Sequence, residues 1–389
     1  MWENAQNNLL DQNIKEALDF ISAIMEKLKQ FDMPDVEYKI PRIVLLALIK
    51  RTQEYAHDKE SGNNANNVIK MSPTDFEDCK RIGQFALNVY SASWAWNNEA
   101  KDVATKMGLS SNDEILFTWF ADKEGQKHCP KFMLFVEKET KSIVLAIRGT
   151  YSLADVIVDV VCDEDQFLDG FAHRGILQGG QRILEESGSI LKQALQEHPG
   201  YRLVVTGHSL GAGTAILIAM SLLSRQNLDI VDPNQTEIKC VALAPPPVYR
   251  ARNSSPYQDH INIFINGNDI VPRLSLANLA KLLAMCRAVD QIDLKIQDHL
   301  KILAGLRDPE ILEDLETLAN AVARVKQDQF PSLEHPGKIF YLKRLGNSKT
   351  FKLLTEPGSF FSTNLLLFEN MVLDHLQPYY EEAFANVEL

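Results

Sequence analysis

The stretch VVTGHSLGAGTA, residues 204 to 215, constrains this chain more than any other. A short apolar run leads into Gly-His-Ser-Leu-Gly and then into small residues, so one serine stands between two glycines at the seam of a strand and a helix. Gly-x-Ser-x-Gly in that setting is a nucleophile elbow, a turn tight enough to force strained backbone angles on the serine. Side chains at Gly207 and Gly211 would collide with the neighbouring strand and helix, and Gly213 adds close packing just past the turn. The elbow lifts the Ser209 hydroxyl above the sheet, at the positive end of a helix dipole. The competing reading is a glycine-rich corner with an idle serine.

A serine needs a base to attack, and the base needs an acid to orient it. On an elbow these follow in the order Ser, Asp or Glu, His. The acid belongs just past the carboxyl end of a later strand, and HINIFINGND offers Asp269 there. Asp259 precedes that strand and so sits at the wrong edge, while Asp290, Asp293 and Asp298 fall in a helical stretch and read as solvated surface charges. Of the later histidines, His299 lies in the same helical stretch and His335 precedes the strand KIFYL, at the edge away from the elbow. His375, in VLDHLQPYY, follows the strand-like segments and precedes a final helix, where a loop can return over the sheet. His208 adjoins the serine and cannot easily turn back onto its neighbour's hydroxyl. For the oxyanion, the backbone N–H of Leu210 is one donor, and LAIRGTYS supplies Thr150 as the other, after the sharp turn that Gly149 permits. That tripeptide is also readable as a plain loop turn.

Alternation of strands and helices sets the fold class. KFMLFVE and SIVLAIR read as paired strands, followed by a helix at 176–197, the strand at 202–206, a helix from Ser209 to about Arg225, and strands at 238–244 and 260–266. This implies an α/β fold with a mostly parallel sheet covered on both faces. Ahead of it, periodicity predicts helices over 12–31 and from Pro41 to about Tyr55. The turn-rich KESGNNANN at 59–67 reads as a linker, and a further helix is capped by Thr74 with Glu77 and runs to about Trp96. Residues 274–330 interrupt the alternation as a helical insertion. The expected organisation is an N-terminal helical segment, 1–70, and a catalytic domain, 71–389, carrying that insertion.

A net charge of −12 argues against nucleic acid as a partner and against standing attraction to anionic membranes. The five cysteines show no CxxC pair, which disfavours a disulfide framework or a zinc site and fits a reducing compartment. The polar, acidic start MWENAQNNLLDQ is unlike a signal peptide, and the apolar run IVLLALI at 43–49 is far shorter than the about 20 residues a membrane helix needs. A soluble, cytoplasmic protein is expected.

Together the stretches IRGTYSLADVIVDV, AHRGIL, VVTGHSLGAG, VALAPPPV, INGNDIVPRLSLANL, HPGKIFYL and DHLQPYY resemble the class 3 lipases, and among them the sn-1-specific diacylglycerol lipase branch. They span about residues 140 to 380 in the family's order. The resemblance implies an α/β-hydrolase fold, Ser209, Asp269 and His375 as the triad, and Thr150 and Leu210 as oxyanion donors. It further implies that the segment after Thr150 borders a mobile cover, and that the insertion lies where that branch carries a regulatory insert. Eukaryotic members of the branch carry four membrane-spanning helices before the catalytic domain, whereas only short helices are expected here.

The expected activity is hydrolysis of fatty-acyl esters of diacylglycerol or triacylglycerol through an acyl-enzyme, with no metal or organic cofactor. The expected partner is a neutral glycerolipid, met through transient contact with a membrane or lipid-droplet surface. A phospholipase A1 or lysophospholipase is the second enzymatic reading. A catalytically inactive lipid-binding protein is the reading from another class, and an intact triad with both oxyanion positions filled counts against it. The apolar face of IVLLALI is either a packed cap or a surface that dips into lipid, and the insertion is expected to gate the site.

Overall fold

The structure is a computed structural model. It describes residues 38–60, 71–90, 105–106, 108–109, 114–119, 129–150, 164–252, 256–325, 332–346, 348–357, 360–361, 365–367 and 370–389. The expected helix over 12–31, most of the 59–67 linker and the segment just after Thr150 lie outside these residues.

Two helices come first, α1 (Arg42–Glu60) and α2 (Pro73–Asn88). Strands β1 (Ile115–Trp119), β2 (Phe132–Glu137) and β3 (Ser142–Ile147) follow, then a hairpin of β4 (Glu164–Phe167) and β5 (Gly170–His173). Next are α3 (Arg174–Glu197), β6 (Arg202–His208), α4 (Leu210–Leu223), β7 (Ile238–Leu243), β8 (Tyr249–Ala251) and β9 (Ile261–Asn266). The insertion contributes α5 (Leu276–Asp290), α6 (Ile296–Leu303) and α7 (Pro309–Ala323). The chain closes with β10 (Lys338–Arg344), β11 (Phe351–Glu356), α8 (Gln377–Ala385) and β12 (Val387–Glu388).

Nine strands form the main sheet in the order β1-β2-β3-β6-β7-β9-β10-β11-β12, and β4, β5 and β8 form a small antiparallel one. From β3 to β10 every pairing is parallel, while β1–β2, β2–β3 and β10–β11 are antiparallel and β12 lies parallel to β11. Successive side chains of a strand point to opposite faces, so strands covered on both faces are apolar throughout. Leu203 and Val205 of β6 go to one core with α3 and α4, and Val204 between them goes to the other with α2 and α8. The α4 helix is buried almost all round, which explains its lack of a polar face.

Two local expectations change. The cap of α2 is Ser72 rather than Thr74: its hydroxyl accepts the Asp75 N–H at 3.1 Å with Pro73 at the first helical position, and Glu77 pairs with Lys80 instead. That helix ends at Asn88, well before Trp96.

The apolar run in α1 is a packed cap and not a lipid-facing surface. Leu45, Leu46, Leu48 and Ile49 are buried in a third core, built with α5, α6 and α7 of the insertion. Asp290 is correspondingly no solvated charge. Its carboxylate is buried and accepts the N–H groups of Lys39 and Ile40 at 3.1 and 3.0 Å, fixing the entry into α1.

Leu48 is fully buried at the centre of this contact. Truncation by Leu48→Ala is expected to cost about 2–5 kcal/mol of stability, read as a lowered denaturation midpoint. A midpoint equal to wild type would contradict the packing of α1 on the insertion.

Candidate active site

The carboxyl ends of the parallel strands carry the site. At the end of β6, Ser209 adopts φ 60° and ψ −130°, an unusual conformation for a residue with a side chain and costly by about 1–3 kcal/mol. Close packing holds it there. A side chain at Gly207 would run into the Gly211 backbone, and one at Gly211 into the Ile147 carbonyl at the end of β3. The Ser209 carbonyl accepts the N–H groups of Ala212 and Gly213 at 2.9 and 3.2 Å, so α4 starts directly from the serine.

Ser209 Oγ lies 2.9 Å from Nε2 of His375. On the other side of the ring, Nδ1 lies 3.0 and 3.1 Å from the two carboxylate oxygens of Asp269. An ionised carboxylate only accepts hydrogen bonds, so Nδ1 carries the proton and the lone pair of Nε2 faces the serine hydroxyl. That is the tautomer a general base requires. Asp269 is fully buried and also accepts the Tyr380 hydroxyl at 2.8 Å and the Val271 N–H at 2.9 Å. These extra donors offset the cost of keeping a carboxylate away from water.

Asp269 sits three residues past β9 and His375 ends a single tight turn, 373–375, just before α8. Two bonds tie the acid loop to the histidine loop. The Asn268 N–H donates to the Asp374 carboxylate at 2.7 Å, and the Asn266 side-chain amide donates to the Asp374 carbonyl at 3.0 Å. Burial, with the nearby charge of Asp269 as a smaller cause, pushes the Asp374 carboxyl up to about 6.

The other candidates lie elsewhere. Asp259 is exposed and paired with Lys338 at 2.7 Å, and Asp298 faces Lys301 at 3.6 Å. His299 is buried within α6. His335 departs from expectation: the loop before β10 reaches back past the carboxyl ends, where His335 Nε2 bonds the Pro272 carbonyl at 2.9 Å. Burial lowers that imidazole to about 4.

For the oxyanion positions, the loop after β3 rests on the elbow. A side chain at Gly149 would come within 2.6 Å of the His208 carbonyl and 3.1 Å of Ser209 Cβ. Thr150 follows that contact, half-buried, and Leu210 is the first residue of α4. Leu210 is thus bonded directly to the serine, and Thr150 to the glycine that packs on it. The Leu210 side chain packs against the main core and against the core that α1 and the insertion share with Ile270, Val271 and Met371.

Residues 144–279 match the family described as Lipase (class 3). The chain resembles the class 3 lipases. Among curated proteins it is 32% identical over 160 residues to diacylglycerol lipase-beta of Mus musculus, a match covering 39% of this chain and 23% of that protein. It is 29% identical over 162 residues to diacylglycerol lipase-alpha of Homo sapiens, covering 38% and 15%. A lipase of Rhizopus niveus is 34% identical over 172 residues, covering 43% of this chain and 42% of its own length. The match thus spans less than a quarter of the two diacylglycerol lipases. A crystal structure of an MDLA mutant from Penicillium cyclopium aligns with a TM-score of 0.52 at 18% identity, over 81% of this chain and 99% of that one. The fold is that of an α/β-hydrolase with a mostly parallel sheet.

Three residues at the site have no role assigned from the sequence: Tyr380, which bonds Asp269, and Tyr90 and His208, which bond each other. Only the position of His208 inside the elbow motif could have drawn attention to it.

Asp374 gives a pH-dependent prediction. Its folded-state pKa is raised from 3.8 to about 6, so the folded chain holds this proton more tightly than the unfolded one. Its contribution therefore falls as pH rises through about 4 to 6 and is most unfavourable above that window. Asp374→Asn, which can still accept from Asn268, is expected to stabilise the protein above neutrality by on the order of 1–3 kcal/mol. The gain should vanish near pH 4. Denaturation midpoints of both proteins across that range provide the check, and a pH-independent difference would contradict the assignment.

Proposed function

We propose that this chain is a serine hydrolase that cleaves fatty-acyl esters of glycerolipids, with diacylglycerol or triacylglycerol as the substrate class. The hydrogen-bonded chain from Ser209 through His375 to Asp269 carries this reading, since Ser209 lies at proton-transfer distance from the imidazole and Asp269 at hydrogen-bond distance from its other nitrogen. The similarity to diacylglycerol lipases and to a Rhizopus lipase supports the ester class.

In this reading Ser209 Oγ attacks the ester carbonyl as His375 Nε2 takes its proton. The imidazolium that forms keeps its Nδ1–H on Asp269, whose carboxylate stabilises the new charge without being protonated. The N–H groups of Thr150 and Leu210 take the oxyanion, where preorganised donors are worth more than in water. His375 then protonates the departing glycerol oxygen. Water, deprotonated by the same imidazole, attacks the acyl-enzyme, and collapse of the second tetrahedral intermediate frees the fatty acid and restores the serine. The catalytic unit in this reading is residues 71–389, and its insertion packs on α1 of the preceding segment.

Contact with lipid is transient in this reading, at a membrane or lipid-droplet surface reached from the cytoplasm. Among the described residues no helix is long and apolar enough to cross a membrane. The four described cysteines are free, as a reducing compartment would keep them. The insertion also presents Ile296 and Leu300 of α6 to solvent, 78% and 61% exposed.

Fatty-acid release from a mixed-chain diacylglycerol in neutral detergent micelles, beside Ser209→Ala and a matched phosphatidylcholine, tests the proposal. Release from diacylglycerol is expected, with a loss of at least about a thousandfold in the alanine variant. Release mainly from phosphatidylcholine would keep the triad and move the substrate to phospholipid. Release that persists in the alanine variant would overturn the assignment of the nucleophile.

Access is the second measurable consequence. Ser209 is only 1% exposed, so a bulky ester reaches it only when the surrounding chain is displaced. In dilute detergent-free buffer, a small dialkyl p-nitrophenyl phosphate, which phosphorylates a serine with loss of p-nitrophenolate, is expected to inactivate the protein faster than a long-chain alkyl p-nitrophenyl phosphonate. Equal rates would mean that the serine is already open to lipid.

A further inference from the structure

His208, the variable residue of the elbow, is buried directly before the nucleophile, although the turn requires only that its side chain avoid the Ser209 hydroxyl. Its ring lies against that of His375, with centroids 4.7 Å apart and planes 32° apart, and meets Tyr90 edge-on at 5.8 Å. His208 Nε2 is 2.9 Å from the His375 carbonyl oxygen. His208 Nδ1 is 3.1 Å from the Tyr90 hydroxyl, which in turn is 3.1 Å from the backbone nitrogen of Gly149.

Chemistry fixes the direction of every bond. A carbonyl only accepts, so His208 Nε2 carries a hydrogen. Burial, with the neighbouring His375 as a smaller cause, holds the His208 pKa well below its ordinary value. The ring is therefore neutral with one N–H, and Nδ1 is an acceptor. The backbone N–H of Gly149 only donates, so the Tyr90 oxygen accepts it and the Tyr90 hydrogen turns to Nδ1. Among the described contacts the other acceptor within reach of that hydrogen, the His208 carbonyl, is more distant at 3.4 Å. Tyr90, His375 and Tyr380 are the described titratable groups whose rings face this imidazole, and none is a carboxylate.

The bonds thus run from Gly149 N–H to Tyr90, from Tyr90 to His208, and from His208 to the carbonyl of His375. One end is the residue before Thr150, and the other is the backbone of the residue that faces the serine. We propose that Tyr90 and His208 are positioning residues that lock the oxyanion loop to the histidine loop, so that donor and base keep one fixed spacing about Ser209. This rests on the hydrolase reading of the same site. Oxyanion donors act at 2.7–3.1 Å from the developing charge, so a loop free to drift by a fraction of that loses most of their effect. The dependence on space is visible at Gly149, where a side chain would come within 2.5 Å of the Tyr90 hydroxyl.

The test uses the full chain with Tyr90→Phe, His208→Ala and His208→Gln. Turnover is measured on monomeric p-nitrophenyl butyrate, and folding by circular dichroism and melting temperature. In folded Tyr90→Phe and His208→Ala, kcat is expected to fall at least about tenfold with KM within about twofold of wild type. His208→Gln, whose amide can still donate to the His375 carbonyl, should recover part of the loss. The double variant should lose little more than either single one, because both break the same chain. A folded Tyr90→Phe protein with kcat within about twofold of wild type would overturn the proposal.

A second measurement needs no substrate. Nitrogen-15 NMR of the wild-type protein should show His208 as one neutral Nε2–H tautomer from about pH 5 to 8. An Nδ1–H tautomer, or ordinary titration in that range, would overturn the relay even in an active enzyme. Absence of Ser209-dependent turnover would instead sink the hydrolase reading, with the spectrum still deciding the bonding of His208.

Discussion

Everything at the site depends on how closely α4 approaches the ends of β3 and β6. Two glycines make that approach possible, and the approach holds Ser209 at a positive φ that an isolated chain would avoid. The local strain persists because the α4 helix is packed on nearly every side between the sheet and α3. Stability of the core and exactness at the serine are thus one property. A change that loosens α4 relaxes the turn that aims the hydroxyl.

Polar groups around the turn follow a second constraint, that a buried carboxylate be surrounded by donors. Asp269 accepts from His375, Tyr380 and Val271, and Asn266 and Asn268 bind Asp374 on the loop that carries the histidine. The residues that do chemistry and those that hold them form one hydrogen-bonded body on the α2–α8 side of the sheet. The other neighbour of the serine is apolar, Leu210, which bridges the main core and the satellite core. A site polar in its base and apolar in one wall suits an ester with a hydrocarbon tail.

Much of this was legible in the sequence because it depended on order and period. Unbroken apolar runs such as SIVLAI mark strands buried on both faces, and the elbow fixes where a following acid and histidine can sit. What escaped was non-periodic or long-range. The short strands β4, β5 and β8 and the terminal β12 have too few residues to show alternation. Asp290 reads as a surface charge until the backbone of Lys39 and Ile40 is seen to close over it. His335 reads as remote because its loop doubles back to Pro272. Tyr90 and Tyr380 are single aromatics in helical stretches, where nothing distinguishes a core residue from one whose hydroxyl holds a catalytic loop.

The union of α1 with the insertion has a consequence for how the chain is made. Asp290 and the Lys39 it binds are 251 residues apart, so this satellite core closes one of the longest loops in the protein. Long loops cost little extra at equilibrium, but they delay contact formation. During synthesis α1 emerges with its apolar face bare and must wait until α7 has left the ribosome. Over that interval the segment is a natural client for a chaperone.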